Sequence, residues 1–316
     1  GQVLIDCGLF QGVKSEKELN YRPFPFLPNG ITAVILSHAH IDHSGLLPKL
    51  VKAGFRGPIY ATPATTDLAG IMLPDSAHIQ EIEVEQLNKR NARRGRERVE
   101  PIYVAADAVA CLEQFRLIPY AIWFEVSPGV RARLWNAGHL LGSASVEVEI
   151  RDVDVDRPLR ILFSADIGPN FKLLHPDPDA PRDLDYVVCE GTYGDTDRVD
   201  ATAESRRIVL RDAILAAQNP NGALLIPSFA VERAQELIRD IAQLMDEGAL
   251  PIIPIYVDSP LATKASRVFA RHAADLEGGK DLIRGLDSRN IHFTETVQQS
   301  TALDSPRALQ TVIAAS

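Results

Sequence analysis

Two α/β domains are predicted for this chain, on three observations. Its 316 residues exceed the ~250–300 at which a single hydrophobic core stops growing. The first half alternates short apolar strands with polar loops, whereas the second steps strand, helix, strand, helix, the rhythm of a parallel sheet. Hydrophobic residues make up 46% and charged residues 24%, a balance that excludes a mainly disordered chain. No apolar run approaches the ~18 residues that a membrane helix needs, so no membrane is expected as a partner.

Taken in order, the chain opens at Gly1-Gln2 and enters a strand at Val3-Leu4-Ile5, with no basic or small-residue leader before it. Residues 311–316 (TVIAAS) read as a buried strand cut short, so the sequence is expected to be an internal piece of a longer protein. Residues 31–37 (ITAVILS), 59–61 and 159–164 are apolar runs too short for helices and rich in strand formers. Residues 146–150 (VEVEI) alternate apolar and acidic side chains, which predicts a strand with one wet face, and Asp156 and Pro158 mark the turn after it.

A helix is predicted over 78–97. Its acids Glu81, Glu83 and Glu85 come early and its bases Lys89, Arg90, Arg93, Arg94, Arg96 and Arg98 late, an order that complements the helix dipole. A solvated face leading into a loop accounts for this run; the alternative is that the arginines help hold a polyanion.

In the second half, residues 223–226 (ALLI) form a strand and Pro227-Ser228-Phe229 turns the chain into a helix. Its apolar face runs through Val231, Ala234, Leu237, Ile238, Ile241 and Leu244 to Met245, and Gly248 closes it. A helix start at Ser228 offers free N–H groups to a substrate phosphate, with ordinary capping as the alternative. Residues 252–257 form the next strand, followed by a helix from Leu261. The Gly/Asp/Thr-rich stretch at 191–205 marks the boundary, which gives domains over 1–195 and 196–316.

Cys7, Cys111 and Cys189 are odd in number and contain no C-x-x-C pair, which argues against a disulfide framework or a cysteine zinc cage and favours a reducing, cytoplasmic compartment. Lys plus Arg is 33 against 42 Asp plus Glu, for a net charge of −9. A broad basic face for nucleic acid would run the other way. Two divalent cations would move the sum from −9 to −5, so a local phosphate-binding cleft is compatible with it.

The chemistry concentrates at Ser37-His38-Ala39-His40-Ile41-Asp42-His43. Four candidate ligands occur within six residues, directly after a buried strand, and imidazole with carboxylate suits zinc, manganese or iron rather than calcium. Surface loop histidines are the bland alternative, which three of eight histidines packed around one aspartate disfavour. His38 and His40, two apart on an extended segment, can face one ion. Asp42 and His43, in the next turn, can face a second. His139 in a Gly-flanked turn and Asp166 at the end of a strand supply what a dinuclear site still lacks, the carboxylate being able to bridge. Asp6 is placed to accept a hydrogen bond from the far side of a ligand histidine.

The order Asp6, His38-x-His40-x-Asp42-His43, His139, Asp166 resembles the metal motifs of the metallo-β-lactamase fold. Cys189-Glu190-Gly191-Thr192-Tyr193-Gly194-Asp195 resembles the first motif of its β-CASP nuclease subfamily, and the segments at 226–236 and 254–260 resemble the inserted domain. The resemblance covers essentially the whole chain and implies an αββα sandwich with a parallel α/β insertion. It implies one metal at His38, His40 and His139, another at Asp42 and His43, and Asp166 between them. Asp42 and Glu190 are the implied catalytic carboxylates, with Glu190 supporting a general-acid histidine. That histidine and the last ligand of the second metal have no counterpart here, and His78, His175, His272 and His292 are read as non-ligands.

The activity so implied is hydrolysis of RNA phosphodiester bonds by a hydroxide between two divalent ions, zinc first and manganese second. Single-stranded RNA is the expected partner, with homodimerisation a further expectation. A DNA nuclease, a small-molecule hydrolase such as a lactonase or thioesterase, and a non-catalytic RNA-binding scaffold are the competitors. With the later histidines missing, the piece is expected to keep its three-histidine site more firmly than the neighbouring one and to cleave poorly.

Overall fold

The computed structural model describes residues 1–151, 157–170, 172–196, 202–217, 223–303 and 310–315. The expected turn residue Asp156 lies outside them. The chain divides into two compact units, one of Gly1–Gly168 with Pro178–Glu190 and the other of Pro169–Asp177 with Gly191–Ser316.

In the first unit, β1 (Gln2–Ile5), β2 (Ile31–Ile35), β3 (Ile59–Ala61) and β4 (Phe115–Leu117) form a parallel sheet in sequence order. A second sheet runs β5 (Phe124–Ser127), β6 (Val130–Asn136), β7 (Ala144–Ile150), β8 (Leu159–Phe163) and β9 (Tyr186–Val188), antiparallel until β9 joins β8 in parallel. Ala33 and Ile35 of the first sheet pack with Val126, Leu134, Val146 and Val148 of the second, a shared core of β-branched and small side chains.

The helices are α1 (Lys14–Lys17), α2 (Ile41–Ser44), α3 (Leu47–Lys52), α4 (Pro63–Arg93) and α5 (Ala105–Leu112). The wet face expected of the strand at 146–150 is absent: in β7 Glu147 and Glu149 are buried. Their cross-strand partners in β6 are Arg133 and Arg131, which bind them directly. Glu147 also accepts from Trp135 Nε1 at 2.8 Å and from Arg160, while Arg131 and Arg133 stack on Trp123. Burial alone would raise the Glu147 carboxyl, but the hydrogen bonds from Trp135, Arg160 and Arg133 hold it below its ordinary value. Alternation therefore marks two faces here, but the charged one is neutralised in place rather than hydrated.

The helix expected over 78–97 starts much earlier. Thr62 Oγ1 accepts from the Thr65 N–H at 3.2 Å and Pro63 takes the first helical position, so α4 begins at a regular cap. It runs on through Pro74 and ends at Arg93, which leaves Arg94, Arg96 and Arg98 beyond its end.

The second unit holds β10 (Ala223–Ser228), β11 (Ile255–Asp258), β12 (Ile291–Thr294) and β13 (Gln310–Ala315), all parallel in the order β10-β13-β11-β12. The strand expected near 311–316 thus lies inside the sheet. Helices α6 (Ala203–Ala216), α7 (Arg233–Asp246), α8 (Pro260–Arg271), α9 (Gly279–Leu286) and α10 (Val297–Ala302) complete it. Ile238 and Ile241 of α7 pack with Ile255, Val257, Ala262 and Ile313. The helix start expected at Ser228 is corrected: Ser228 is the last strand residue, and α7 begins at Arg233 with Glu232 as its cap.

Pro169–Asp177, read from sequence as part of the first domain, packs in this second unit. Leu174 is buried, and its carbonyl accepts from the Glu277 N–H at 3.1 Å. His175 Nε2 lies 2.7 Å from Glu232 Oε2, and Lys172 Nζ lies 3.2 Å from Glu232 Oε1.

Candidate metal centre

The loop after β2 leaves the sheet at Ser37 and turns into the short α2, which throws His38, His40 and His43 to one side. Backbone bonds fix that path against the end of β1: Cys7 N–H donates to His43 O at 2.7 Å, Leu9 N–H to Ile41 O at 2.9 Å, and Leu46 N–H to Cys7 O at 2.8 Å. A Cβ at Gly8 would lie 1.5 Å from the Asp42 carbonyl oxygen, so only glycine permits this approach.

Asp6 follows β1 with φ of +59°, a left-handed conformation that short polar residues tolerate. Its carboxylate accepts from the Ser37 N–H at 2.7 Å and the Ser37 hydroxyl at 2.8 Å, and it lies 2.7 Å from His43 Nδ1. Ser37 Oγ is 2.9 Å from His38 Nδ1. Because the hydroxyl proton goes to Asp6, Ser37 accepts from His38 Nδ1–H, and the His38 Nε2 lone pair is left for the pocket.

His139 sits in a turn where Ser143 Oγ accepts from the N–H groups of His139 (3.0 Å) and Leu140 (3.1 Å). Asp166 follows β8 in a loop held by the Gly168 N–H donating to Ala137 O at 2.8 Å. A Cβ on Gly168 would stand 1.8 Å from the Gly138 carbonyl oxygen, so the His139 and Asp166 loops meet through glycine.

Four ligand atoms converge. Those of His38, His40, His139 and Asp166 all lie within 4.8 Å of one another. His40 Nδ1 is 3.1 Å from His38 Nε2 and 3.2 Å from His139 Nε2. A tetrahedral ion with nitrogen bonds of ~2.0–2.1 Å has ligand edges of ~3.3 Å, so the histidine spacing fits a divalent ion such as zinc. Asp166 Oδ2 is 3.8 Å from His38 Nε2 and 3.5 Å from His139 Nε2, while Oδ1 lies 3.2 Å from His43 Nε2. One carboxylate thus presents an oxygen to each side.

The electrostatics agree with this division. Burial, then the neighbouring His43, His40 and His139, hold His38 well below its ordinary pKa, as a ligand with a free lone pair requires. Burial would lower His43 as well, but hydrogen bonds to Asp166 and Asp6, with their charges, push it up to about 10. The hydrogen bond from His43 is the main cause that keeps Asp166 below its ordinary value.

The remaining expected residues fall as follows. Asp42, in the first turn of α2, is exposed and stands outside the four-atom group. Glu190 touches the Asp166 loop: its Oε1 accepts from the Ile167 N–H at 2.9 Å, and its own N–H donates to Ser164 Oγ at 3.0 Å. Ser228 Oγ donates to the Phe229 carbonyl at 3.2 Å, five residues before the helix whose N-terminus was to bind phosphate. His78 is exposed, His175 binds Glu232, His272 lies 3.4 Å from Asp275, and His292 packs on Tyr256. Ser37 and Ser143 were not anticipated. Their signal was adjacency, since Ser37 directly precedes the motif and Ser143 closes the HLLGS turn.

Residues 1–228 match the description "Metallo-beta-lactamase superfamily", and residues 234–316 match "Beta-Casp domain". The chain is 35% identical over 271 residues to a ribonuclease of Thermus thermophilus, covering 85% of this chain and 56% of that protein. It is 27% identical over 318 residues to transcription termination factor FttA of Methanosarcina mazei, covering 99% of this chain and 46% of the relative. Against the factor of the same name from Pyrococcus abyssi it is 32% identical over 273 residues, covering 81% and 38% respectively. The chain spans about half the length of the curated relatives it matches.

Proposed function

The chain belongs to the metallo-beta-lactamase superfamily and carries a Beta-Casp domain, and we propose that it supplies the metal-binding portion of an RNA-cleaving phosphodiesterase. The observation that carries this reading is Asp166, whose two oxygens face the three-histidine group on one side and His43 on the other. His38, His40 and His139 would hold one divalent ion, and Asp42 and His43 a second, with Asp166 shared. The donor set of ring nitrogens and carboxylate favours zinc, with manganese as the alternative. When bound, such a pair of ions supplies Lewis acidity toward a phosphodiester and makes water nucleophilic near neutral pH.

The chain's own residues set up that chemistry. Asp6 and Ser37 fix the tautomer of His38, and Asp6 turns His43 so that Nε2 points at Asp166. Glu190 holds the backbone at Ile167 and so positions the neighbouring Asp166 carboxylate, which would be shared by the two ions. RNA as the substrate is supported by the name of the ribonuclease relative, and a cytoplasmic setting by three cysteines that stay free. Among the described residues no helix is long and apolar enough to cross a membrane.

The test is digestion of end-labelled single-stranded RNA by the full-length protein, with and without a chelator, beside Asp166→Ala. Cleavage abolished by chelator and by Asp166→Ala is expected. Cleavage that survives both refutes the proposal.

A further inference from the structure

We propose that Arg90, Arg93, Arg94, Arg96 and Arg98, at the end of α4 and in the loop after it, form an anchoring surface for the phosphate backbone of single-stranded RNA. The choice of RNA rests on the function proposed above; the surface itself rests on charge and local geometry.

In a chain of net charge −9, five exposed arginines lie within nine residues. Neighbouring Lys89 is engaged by Glu85 at 2.7 Å. Among the described residues none of the five arginines has a carboxylate within ion-pair distance. Other arginines behave differently: Arg131, Arg133, Arg157, Arg160 and Arg206 each hold an Asp or Glu. Arg90 stands three and four residues from Arg93 and Arg94, spacings at which like charges repel. The helix dipole favours cations in the last turn, which accounts for Arg90 and Arg93 but not for Arg96 and Arg98 beyond its reach.

The arrangement is also built. Asn91 is buried, its carbonyl accepts from the N–H groups of Arg94 (2.9 Å) and Arg96 (3.0 Å), and its side-chain amide donates to Glu97 O at 3.0 Å. Asn88 brackets Val99, accepting from its N–H at 2.8 Å and donating to its carbonyl at 2.9 Å. Two asparagines thus fix the backbone of residues 94–99 against the end of the helix, so the segment that carries Arg94, Arg96 and Arg98 is ordered before any ligand arrives, which lowers the entropy lost on binding.

The partner follows from what the patch lacks. Between Ile82 and Val109 no large apolar side chain is exposed, and residues 83–98 include no aromatic. A membrane surface or a protein interface would need apolar area to bury. Base recognition on single strands would need a stacking platform. Guanidinium forks alone suit phosphate oxygens, so the contact should ignore base sequence and depend steeply on salt.

The experiment measures binding of the whole chain to a labelled unstructured RNA by fluorescence anisotropy, in chelator to prevent hydrolysis, over a series of KCl concentrations. Each phosphate contact on a single strand contributes ~0.7 to the slope of log affinity against log salt, so R90Q/R93Q/R94Q/R96Q/R98Q should flatten the slope by up to ~3.5 and weaken low-salt binding by ~10-fold or more. Replacing the same five by lysine should keep most of the slope. An unchanged slope and affinity in the glutamine variant overturns the proposal, as does a lysine variant as defective as the glutamine one. Loss of binding to phosphatidylserine vesicles with RNA binding unchanged overturns it in favour of a lipid surface. Full RNA binding through this patch without cleavage by the full-length protein would instead sink the catalytic reading and leave this one standing.

Discussion

Asp6 Oδ2 lies 2.7 Å from His43 Nδ1, and the same carboxylate binds Ser37, which in turn contacts His38. One aspartate therefore orients a histidine on each side of Asp166. Asp6→Ala should weaken divalent-metal affinity by ~10–100-fold while leaving every proposed ligand in place. Competition titration with a chromogenic chelator measures this, and wild-type affinity in the variant would show that the Asp6 contacts are incidental.

Gly168 offers a way to damage the site without touching a ligand. Its missing Cβ is what lets the Asp166 loop approach Gly138 beside His139. Gly168→Ala should force the two loops apart, costing ~1–3 kcal/mol of stability as overpacking and lowering metal affinity with it. Chemical denaturation and metal titration of the same variant should move together.

Glu190 is expected to act on the position of Asp166 through Ile167 rather than on metal capture by the histidines. Glu190→Ala should reduce RNA cleavage by the full-length protein by ~10-fold or more while the three-histidine position still binds metal. Metal content and turnover measured on one preparation separate the two effects.

The second unit carries a pH dependence of its own. Burial would raise the Glu232 carboxyl, but His175 and Lys172, by charge and by hydrogen bond, hold it at about 2. Its folded pKa lies below its unfolded value of 4.5, so its stabilising contribution is complete above that pH and is lost as pH falls toward about 2. Glu232→Gln should cost ~3 kcal/mol at pH 7, since it removes the buried carboxylate that faces Lys172 and His175. Urea midpoints of wild type and variant should draw together as the pH drops below 4.5. A gap that stays constant across that range would place the stabilisation elsewhere.

Much of this was legible in the residues. The β2 run ends in its histidine cluster and the βα steps of the second unit come in the expected order, while the grouping of His38, His40, His139 and Asp166 seen in the structure was implied by the family resemblance rather than by residue spacing. Local patterning failed where a distant partner decides the outcome. Glu147 reads as a solvent-facing residue until Arg133 and Arg160 are found across the sheet. The Pro169–Asp177 segment carries nothing that announces Glu232 as its partner. At Ser228, Pro-Ser-Phe resembled a helix entry, yet the strand pairing with Ala315 continues through it and an unusual φ of +74° at Glu232 makes the turn instead. The start of α4 was hidden for a simpler reason, because Pro74 inside a helix reads as a break.

Anomalous diffraction at the zinc edge, from crystals of the zinc-loaded protein, addresses the metal centre without relying on activity. A peak within bonding distance of His38 Nε2, His40 Nδ1, His139 Nε2 and Asp166 Oδ2 is predicted. Ordered rings around a position with no anomalous signal, or zinc bound only elsewhere on the molecule, would contradict it.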